Sequence, residues 1–363
     1  MKKKIVHYIA KLKDGGAQTQ LVLLCNQIDR SKYEIVIVCW DKETSIPLSD
    51  DIKIILVSRG GIYSLISFFK EIYKLTLELK PDIVQLWMPE VLTLPAAFAA
   101  KHMGIPIISC ERRLPINTLG KLWLRDRIKY LIHCISTVIV ANFPLPIKRK
   151  SIFNVILKHK RNQTIYNGLD IDGLKSLRRP FIAKGSAPFK LVYSGRLVSQ
   201  KNVDVLIRAC KGVIDHGIEI ELKIFGNGDD ERDLIALCKQ LELDNYVKFL
   251  GYQDNWKELS ADSHCFVLPS NREGMPNVLF EAIAIGLPII STNIEEINCH
   301  FTSGYDALLV APNDAQSLTE AIRMLVNAPE LLSVIRSNGL KTAQKYTVKA
   351  MTFSYEMLYD QKH

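Results

Sequence analysis

The stretch from Ser270 to Asn293, SNREGMPNVLFEAIAIGLPIISTN, decides how this chain folds around its candidate site. An apolar run, His264 to Pro269, leads into it, and a second, Leu287 to Ser291, lies near its end; both are typical of buried strands. Pro276 suits the first turn of a helix, and Gly286 suits its end. The pattern therefore predicts a strand, a loop, a helix and a second strand.

Two glutamates eight residues apart lie in this unit, Glu273 in the loop and Glu281 in the helix, just past its first turn. The free N–H groups and positive dipole of a helix start lie between them and favour a phosphate. A carboxylate beside a phosphate is repelled unless it binds another group, and a vicinal diol suits it, because one carboxylate accepts from both hydroxyls. The pattern indicates a nucleotide-sugar site, which we expect to be lined also by Gly274, Met275, Pro276, Asn277 and Val278.

The same stretch resembles the signature of retaining GT-B glycosyltransferases of family 4, the glycosyl transferases group 1, in which a loop Glu and a helical Glu follow the pattern E-x7-E. Two acids at this spacing alone are unspecific; REGMPNVLFEA, with a strand before it and GLP after it, carries the resemblance. The resemblance extends along nearly the whole chain. It implies an α/β fold of two doubly wound, parallel, Rossmann-like sheets that face a cleft.

Length and pattern agree with two α/β domains. At 363 residues, and about 150 residues per domain, two domains are expected. Strand patterns alternate with helical patterns throughout, which favours parallel sheets. We predict strands at 4–9, 34–39, 52–56, 83–86, 107–110 and 137–141, then at 190–193, 221–225, 247–250, 265–268, 289–291 and 307–310. We expect an acceptor-side domain over residues 1–170 and a nucleotide-sugar-binding domain over 171–346; the resemblance implies that the last helix, about 347–363, packs back on the first domain.

Composition excludes several other classes of protein. Hydrophobic content of 48% and charged content of 23% exclude disorder. Eight scattered cysteines without a C-x-x-C pair indicate reduced thiols in a cytoplasmic protein. The basic opening, MKKKIVHYIAKLK, has too short an apolar part for a secretion signal. The longest stretch without an acidic or basic residue, Tyr130 to Phe143, is shorter than the roughly 20 residues of a membrane-spanning helix.

Further candidate residues follow predicted strands, where parallel sheets bind ligands. Gly15 and Gly16 follow the first strand and open a helix; they resemble the family's glycine-rich loop, which contacts donor phosphate. Gly195, Arg196 and Lys201 match the family pattern G-R-L-x3-K, whose Arg and Lys neutralise the donor diphosphate. Fixed cations can stabilise a leaving group as its negative charge grows. The resemblance therefore implies transfer with no cofactor and no bound metal.

Two more loops belong to the predicted donor side. Gly226 and Asn227 follow a strand and resemble a dinucleotide fingerprint that lacks its third glycine, because residue 231 is Glu. We interpret them as a loop near the nucleotide. Gly251, after the strand VKFL, is expected on the base-binding side.

The first half departs from the family where many members carry a histidine near the reacting sugar. After PDIVQLWMPE this chain has Gln85, Trp87 and Glu90 instead. Glu90 is a candidate for contact with the sugar or acceptor, with an ordinary surface acid as the alternative. Glu111 and Arg112 resemble the S-E-R element of members that build polysaccharide or lipid-linked oligosaccharide, which makes them acceptor-side candidates.

The net charge of +9 is concentrated in two clusters of the first half. They comprise Arg112, Arg113, Lys121, Arg125, Arg127 and Lys129, then Lys148, Arg149, Lys150, Lys158, Lys160 and Arg161. Neither carries interleaved aromatics or a groove-reading motif, which argues against nucleic acid. An anionic membrane surface suits them better, at about 1 kcal/mol per well-placed basic residue. A solvated basic helix is the open alternative.

These observations predict a retaining glycosyltransferase of the hexosyl or N-acetylhexosaminyl type. It would move a sugar from a nucleotide diphosphate, with UDP favoured, to a glycan or polyprenyl-linked acceptor in surface polysaccharide biosynthesis. We expect it in the cytoplasm, peripheral on the inner face of the cytoplasmic membrane. One alternative is a UDP-sugar 2-epimerase of the same architecture, which would need acid/base carboxylates or histidines in the cleft. Another is a non-catalytic, basic peripheral membrane protein, which would leave Arg196, Lys201, Glu273 and Glu281 unexplained.

Overall fold

The computed structural model describes residues 2–12, 15–44, 46–57, 65–112, 124–145, 152–178 and 188–362. The chain divides into two compact units. The first comprises Met1–Gly168 and Val348–His363, and the second comprises Leu169–Thr347. Each unit is built around its own parallel sheet.

The described part of the first unit contains a seven-stranded parallel sheet. Its strands are β1 (Lys3–Tyr8), β2 (Tyr33–Cys39), β3 (Lys53–Leu56), β4 (Ile83–Leu86), β5 (Ile107–Glu111), β6 (Val138–Ala141) and β7 (Arg161–Thr164), in the order β3-β2-β1-β4-β5-β6-β7. The α-helices between them are α1 (Gly16–Gln27), α2 (Leu65–Leu79), α3 (Leu94–His102), α4 (Leu124–Ile135) and α5 (Ile152–Lys158), and a 3-10 turn spans Val91–Thr93.

Alternating residues of these strands fill a core on each face of the sheet. In β1, Ile5 belongs to one apolar cluster and Val6 to the other; in β2, Ile35 and Val36 divide in the same way. Successive side chains of a strand point to opposite faces, so a strand covered on both faces is mainly apolar along its whole length. This explains the continuous apolar runs from which the strands are predicted.

The described part of the second unit contains a six-stranded parallel sheet. Its strands are β8 (Phe189–Ser194), β9 (Ile220–Phe225), β10 (Val247–Phe249), β11 (Cys265–Leu268), β12 (Ile289–Thr292) and β13 (Leu308–Val310), in the order β10-β9-β8-β11-β12-β13. The helices are α6 (Ile171–Lys175), α7 (Val203–Asp215), α8 (Glu231–Gln240), α9 (Trp256–Leu259), α10 (Asn277–Ala284), α11 (Glu295–Asn298), α12 (Ala315–Asn327) and α13 (Pro329–Ala343), and a 3-10 turn spans Ser199–Lys201. Two doubly wound parallel sheets are the predicted fold class, and the prediction is confirmed.

The last helix, α14 (Val348–Asp360), belongs to the first unit. It packs against α1, and its Tyr355 and Tyr359 are fully buried in the first unit's core. The Tyr359 hydroxyl donates to the Gln85 amide oxygen of β4, so a polar contact as well as apolar packing holds the helix in place.

All twelve predicted strands are present, with ends that differ by one residue at most. One further strand, β7, was not predicted. Its sequence, RNQT, is polar and half exposed because it lies at the edge of the sheet, where an apolar pattern is not required. In the part of the chain that the structure describes, no helix combines the length and hydropathy needed to cross a bilayer.

Candidate functional site

The donor-side candidates of the second unit lie around the point where its strand order reverses. The chain leaves β8 towards β9 on one side of the sheet, whereas β11 pairs with β8 on the other side. Open parallel sheets bind ligands at this point, beyond the carboxyl ends of the strands. The loop after β8 carries Arg196 and Lys201, and the loop after β11 carries Glu273. The fold thus brings together residues that are more than 70 positions apart.

Lys201 and Glu273 form an ion pair at this position. The Lys201 Nζ lies 2.5 Å from the Glu273 Oε1, and the side chains are only 12% and 8% exposed. Burial strengthens the attraction between the two charges and raises the cost of leaving either one alone. Arg196, on the same loop, is exposed, and its carbonyl oxygen accepts a hydrogen bond from the Tyr193 hydroxyl at 3.0 Å. The predicted diphosphate-binding lysine and one of the two predicted diol-binding carboxylates are therefore direct neighbours.

The glycines of the β8, β9 and β10 loops allow close approach between backbones. Gly226 has φ 132°, and a Cβ on it would lie 1.9 Å from the Gly195 carbonyl oxygen. Its N–H donates to the Gly251 carbonyl at 2.7 Å, and the Leu197 N–H donates to the Asn227 carbonyl at 2.9 Å. A side chain at residue 226 is excluded by both backbone conformation and space. These glycines thus allow the loops to pack closely against one another. This packing does not need the third glycine of a dinucleotide fingerprint, which the chain lacks.

Helix α10 begins at Asn277, one residue after the start predicted from Pro276 in its first turn. Pro276 is the N-cap, buried like its neighbour Met275, and Asn277 is the first helical residue. No acidic residue lies in the first turn, so the positive end of the dipole is not neutralised by the helix itself. Gly286, with φ 87°, follows the helix end as predicted. Gly274 and Val278 are partly exposed beside this helix start.

The helical glutamate, Glu281, has its own lysine partner, which sequence reasoning missed. Lys257 on α9 places its Nζ 3.6 Å from the Glu281 Oε2. These side chains are 22% and 26% exposed, so the pair is more hydrated and weaker than Lys201–Glu273. No pattern in the sequence connects a lysine in the short helix WKEL with a glutamate on α10. Each glutamate of the E-x7-E pattern is therefore paired with a lysine from another loop or helix.

The glycine-rich candidates of the first unit lie at the start of α1. Gly15 is the N-cap of this helix, Gly16 is its first residue, and both are exposed. No side chain caps the helix there, which leaves its first N–H groups directed to the exterior. The geometry suits contact with an anion, and the predicted contact with donor phosphate stays a prediction.

Glu90 follows β4 and caps the adjacent 3-10 turn. Its backbone N–H donates to the Thr93 hydroxyl at 3.0 Å, and its side chain takes part in a capping box with the same residue. Glu90 is partly exposed. The cap gives it a structural function, and the predicted contact with sugar or acceptor is not tested by this geometry.

Glu111, at the end of β5, belongs to a buried polar cluster. Its Oε2 lies 2.9 Å from the Lys129 Nζ and 3.4 Å from the His133 Nε2, while the His133 Nδ1 lies 2.8 Å from the Ser109 hydroxyl. Burial by itself would raise the pKa of Glu111, but the hydrogen bond from His133 and the charge of Lys129 outweigh it and lower the pKa to about 2. The carboxylate is thus ionised and satisfied from within the unit.

Arg112 lies against the last helix. Its guanidinium donates to the Asn167 amide oxygen at 2.8 Å and to the Tyr355 hydroxyl at 2.7 Å. It also lies over the Trp87 ring, 4.6 Å from the ring centroid. Arg112 and Gln85 therefore both contact α14. These contacts give the two residues a structural function that the sequence did not reveal, and the acceptor-side role of Arg112 stays a prediction.

In the structure, some cations of the two basic clusters contact buried groups of the first unit, and others are exposed. Arg112 and Lys129 take part in the internal contacts above, whereas Arg127, Lys158 and Arg161 are exposed. Lys160 is partly exposed. Arg113, Lys121, Lys148, Arg149 and Lys150, and the side chain of Arg125, lie outside the described residues. A membrane-binding surface would therefore depend on fewer cations than the sequence suggests.

Most of the second unit resembles a known protein family. Residues 177–342 match the family model described as Glycosyl transferases group 1. The putative colanic acid biosynthesis glycosyltransferase WcaL of Salmonella typhimurium is 30% identical over 193 residues, which cover 50% of this chain and 47% of WcaL. The chain thus spans about half the length of that relative. The capsular polysaccharide biosynthesis glycosyltransferase CapM of Staphylococcus aureus is 27% identical over 343 residues, 88% of this chain and 86% of CapM.

Comparison with solved structures identifies the fold of the whole chain. HepE of Anabaena, solved in complex with UDP-glucose, aligns with a TM-score of 0.77 over 99% of this chain and 100% of HepE, at 18% identity. The likeness at this identity concerns the fold, which is the GT-B fold. Residues 177–342 thus resemble the glycosyl transferases group 1, and the whole chain has the GT-B fold.

Proposed function

We propose that the protein is a retaining family 4 glycosyltransferase that moves a sugar from a nucleotide diphosphate donor. The observation that carries this proposal is the buried Lys201–Glu273 pair at the strand-order reversal of the unit that matches the group 1 family. A cation for a diphosphate and a carboxylate for sugar hydroxyls are in contact there before any donor binds.

The donor would change the partners of this pair. The diphosphate would give the Lys201 ammonium a second anion, and exposed Arg196 would bind the same group from the other part of the loop. Charge grows on the leaving diphosphate as the bond to the sugar breaks, and fixed cations stabilise that charge without reorganisation. On this proposal the two cations make a bound metal unnecessary.

The two glutamates would have different functions. Glu273, close to Lys201, would bind the sugar at the reacting end of the donor, whereas Glu281, held near Lys257, would bind the ribose hydroxyls. Among the described residues we assign no carboxylate as a nucleophile. Retention would then follow from departure and attack on the same face, with the leaving phosphate taking the proton of the incoming hydroxyl.

The comparisons support UDP and a glycan as substrates. HepE of Anabaena was solved with UDP and with UDP-glucose, WcaL is named for colanic acid biosynthesis, and CapM is named for capsular polysaccharide biosynthesis. We propose a UDP-linked hexose or N-acetylhexosamine as donor and a glycan, free or polyprenyl-linked, as acceptor.

The decisive experiment measures nucleotide release from a panel of UDP- and GDP-sugars, with and without a lipid extract as acceptor source. The proposal predicts release from a UDP-sugar that increases when acceptor is added, and a product whose anomeric configuration is that of the donor. Inversion at C2 of the donor sugar without a transferred product would favour the 2-epimerase. Absence of nucleotide release from every donor, despite UDP binding, would contradict a transferase.

We further propose reversible attachment to the inner face of the cytoplasmic membrane through exposed cations. Reversing the charges of Arg127, Lys158 and Arg161 should weaken binding to anionic vesicles, and salt should weaken it too, because screening shortens to about 8 Å at physiological ionic strength. Lys239→Glu, at an exposed position on α8 of the second unit, is the matched control. Lys129 is unsuitable for this test, since a glutamate there would face the buried Glu111. Equal binding to neutral and anionic vesicles would rule out the electrostatic attachment.

A further inference from the structure

We infer that Gln200 and Asn202 are positioning residues, which hold the loop of Lys201 against the loop of Glu273 while a donor is bound. The inference rests on the proposed function, because it assigns these two amides a part in the same reaction. Its physical basis lies in hydrogen bonds on both sides of Lys201.

Asn202 connects three loops through one buried side chain. It has φ 50°, precedes α7 and is 6% exposed. Its Nδ2 donates to the Pro269 carbonyl at 3.2 Å and to the Asn313 Oδ1 at 2.7 Å. Its Oδ1 accepts from the Asn271 Nδ2 at 3.3 Å. The loops after β8, β11 and β13 therefore meet at this amide.

Gln200 makes the second connection, on the other side of Lys201. Its Nε2 donates to the Arg272 carbonyl at 2.6 Å, and its own carbonyl accepts from the Asn271 N–H at 3.1 Å. Arg272 is the residue directly before Glu273. The residues that flank Lys201 thus bind the segment that leads directly to its carboxylate partner.

The left-handed backbone conformation of Asn202 does not by itself explain why an asparagine stands at this position. Glycine adopts this conformation without strain, and asparagine does so at small cost. The backbone alone therefore does not require an amide here. The side chain instead bonds three polar partners on two other loops, of which the Pro269 carbonyl is buried, and this makes the relative position of the loops specific.

The amides matter most when the donor is bound. The Lys201–Glu273 ion pair also connects the two loops. Once a diphosphate shares the lysine and a sugar shares the glutamate, that direct contact weakens, while the bonds of Gln200 and Asn202 remain. A charge stabiliser displaced by about 1 Å can cost about 100-fold in rate. The two amides would therefore affect the reaction more than the binding of nucleotide.

The test compares Asn202→Gly, Asn202→Asp and Gln200→Ala with the unaltered protein. Asn202→Gly keeps the left-handed backbone and removes the amide, and Asn202→Asp keeps the shape but cannot donate to Pro269 or Asn313. Each variant should lower kcat by about 10- to 100-fold, by loss of orientation, while the Kd for UDP stays within about threefold. The matched control is Asn338→Ala on α13, which removes a 3.1 Å bond to the Tyr305 carbonyl in the same unit. It should lower the melting temperature and leave kcat unchanged.

The outcomes separate this inference from the proposed function. No nucleotide release by the unaltered protein would overturn the proposed function, and the inference with it. Normal turnover by the unaltered protein, with kcat within twofold in Asn202→Gly and Gln200→Ala, would overturn the inference alone. A fall in kcat that is matched by an equal loss of UDP affinity, or by unfolding at the assay temperature, would show a purely structural role and would also overturn it.

Discussion

Replacing Lys201 with Met and Glu273 with Gln, singly and together, tests whether the two residues form a strong ion pair before the donor binds. At 2.5 Å, two unit charges attract by about 7 kcal/mol at an effective dielectric constant of about 20. Desolvation of both groups offsets much of this attraction, but removal of one partner leaves the other charge buried and costs about 3–5 kcal/mol. Because some exposure remains, we expect about 3 kcal/mol for each single change. The double change leaves no buried charge and should cost less than this, so the coupling should be at least about 3 kcal/mol.

The second lysine–glutamate pair supplies a matched control within the same unit. The Lys257 and Glu281 charged atoms are 3.6 Å apart, and their side chains are roughly a quarter exposed. Water screens such a pair, so the coupling in the cycle Lys257→Met and Glu281→Gln should stay below about 1 kcal/mol. The same substitutions in the same unit thus compare a close, buried ion pair with a more distant and more exposed one.

The measurement is the free energy of unfolding of the second unit for all members of both cycles. The two units need not unfold together, so hydrogen exchange of peptides from β8 and β11 should accompany thermal unfolding. A loss of 3 kcal/mol corresponds to a fall of about 6–12 °C in the melting temperature of a unit of this size. Additive effects of Lys201→Met and Glu273→Gln, with a coupling under about 0.5 kcal/mol, would refute the reasoning. Equal coupling in both cycles would show that burial is not its cause.

Three further predictions concern catalysis and pH. Arg196→Ala should lower kcat/KM by about 10²–10³, since it removes a charge stabiliser, and EDTA should change the rate little; a complete loss in EDTA that Mg²⁺ or Mn²⁺ restores would contradict this role. Glu281→Gln should weaken donor binding by about 10- to 100-fold, and this loss should appear mainly as a higher KM. Glu273→Gln should lower kcat, while free UDP should bind as tightly as before or more tightly. If the affinity for UDP changed only in Glu273→Gln, the two assignments would have to be reversed. Folding lowers the pKa of Glu111 from 4.5 to about 2, so its stabilisation of about 3 kcal/mol is fully present above pH 4.5 and lost as the pH falls towards 2. Unfolding of the first unit, measured from pH 7 to pH 2, should accordingly depend less on pH in Glu111→Gln, and an unchanged dependence would show that the carboxylate does not contribute.

The sequence determines the elements that bury apolar surface. Twelve strands follow directly from apolar runs, because a parallel strand covered on both faces has little place for polar side chains. The strand–loop–helix–strand unit around Glu273 and Glu281 is predicted for the same reason, with Pro276 and Gly286 marking its helix. Strand β7 escapes prediction because an edge strand can be polar, as RNQT is.

Only the tertiary structure decides which charged and polar groups meet. Lys201 pairs with Glu273 and Lys257 with Glu281 because parallel strands end at one edge of the sheet, whatever their distance along the chain. Gly226 must be glycine because of the Gly195 carbonyl, which no local pattern reveals. Arg112, predicted from a motif to face an acceptor, contacts α14 more than 240 residues later. The burial of apolar side chains can be predicted from the local periodicity of the sequence. The pairing of buried polar groups cannot, because it depends on contacts that form only once the sheets have assembled.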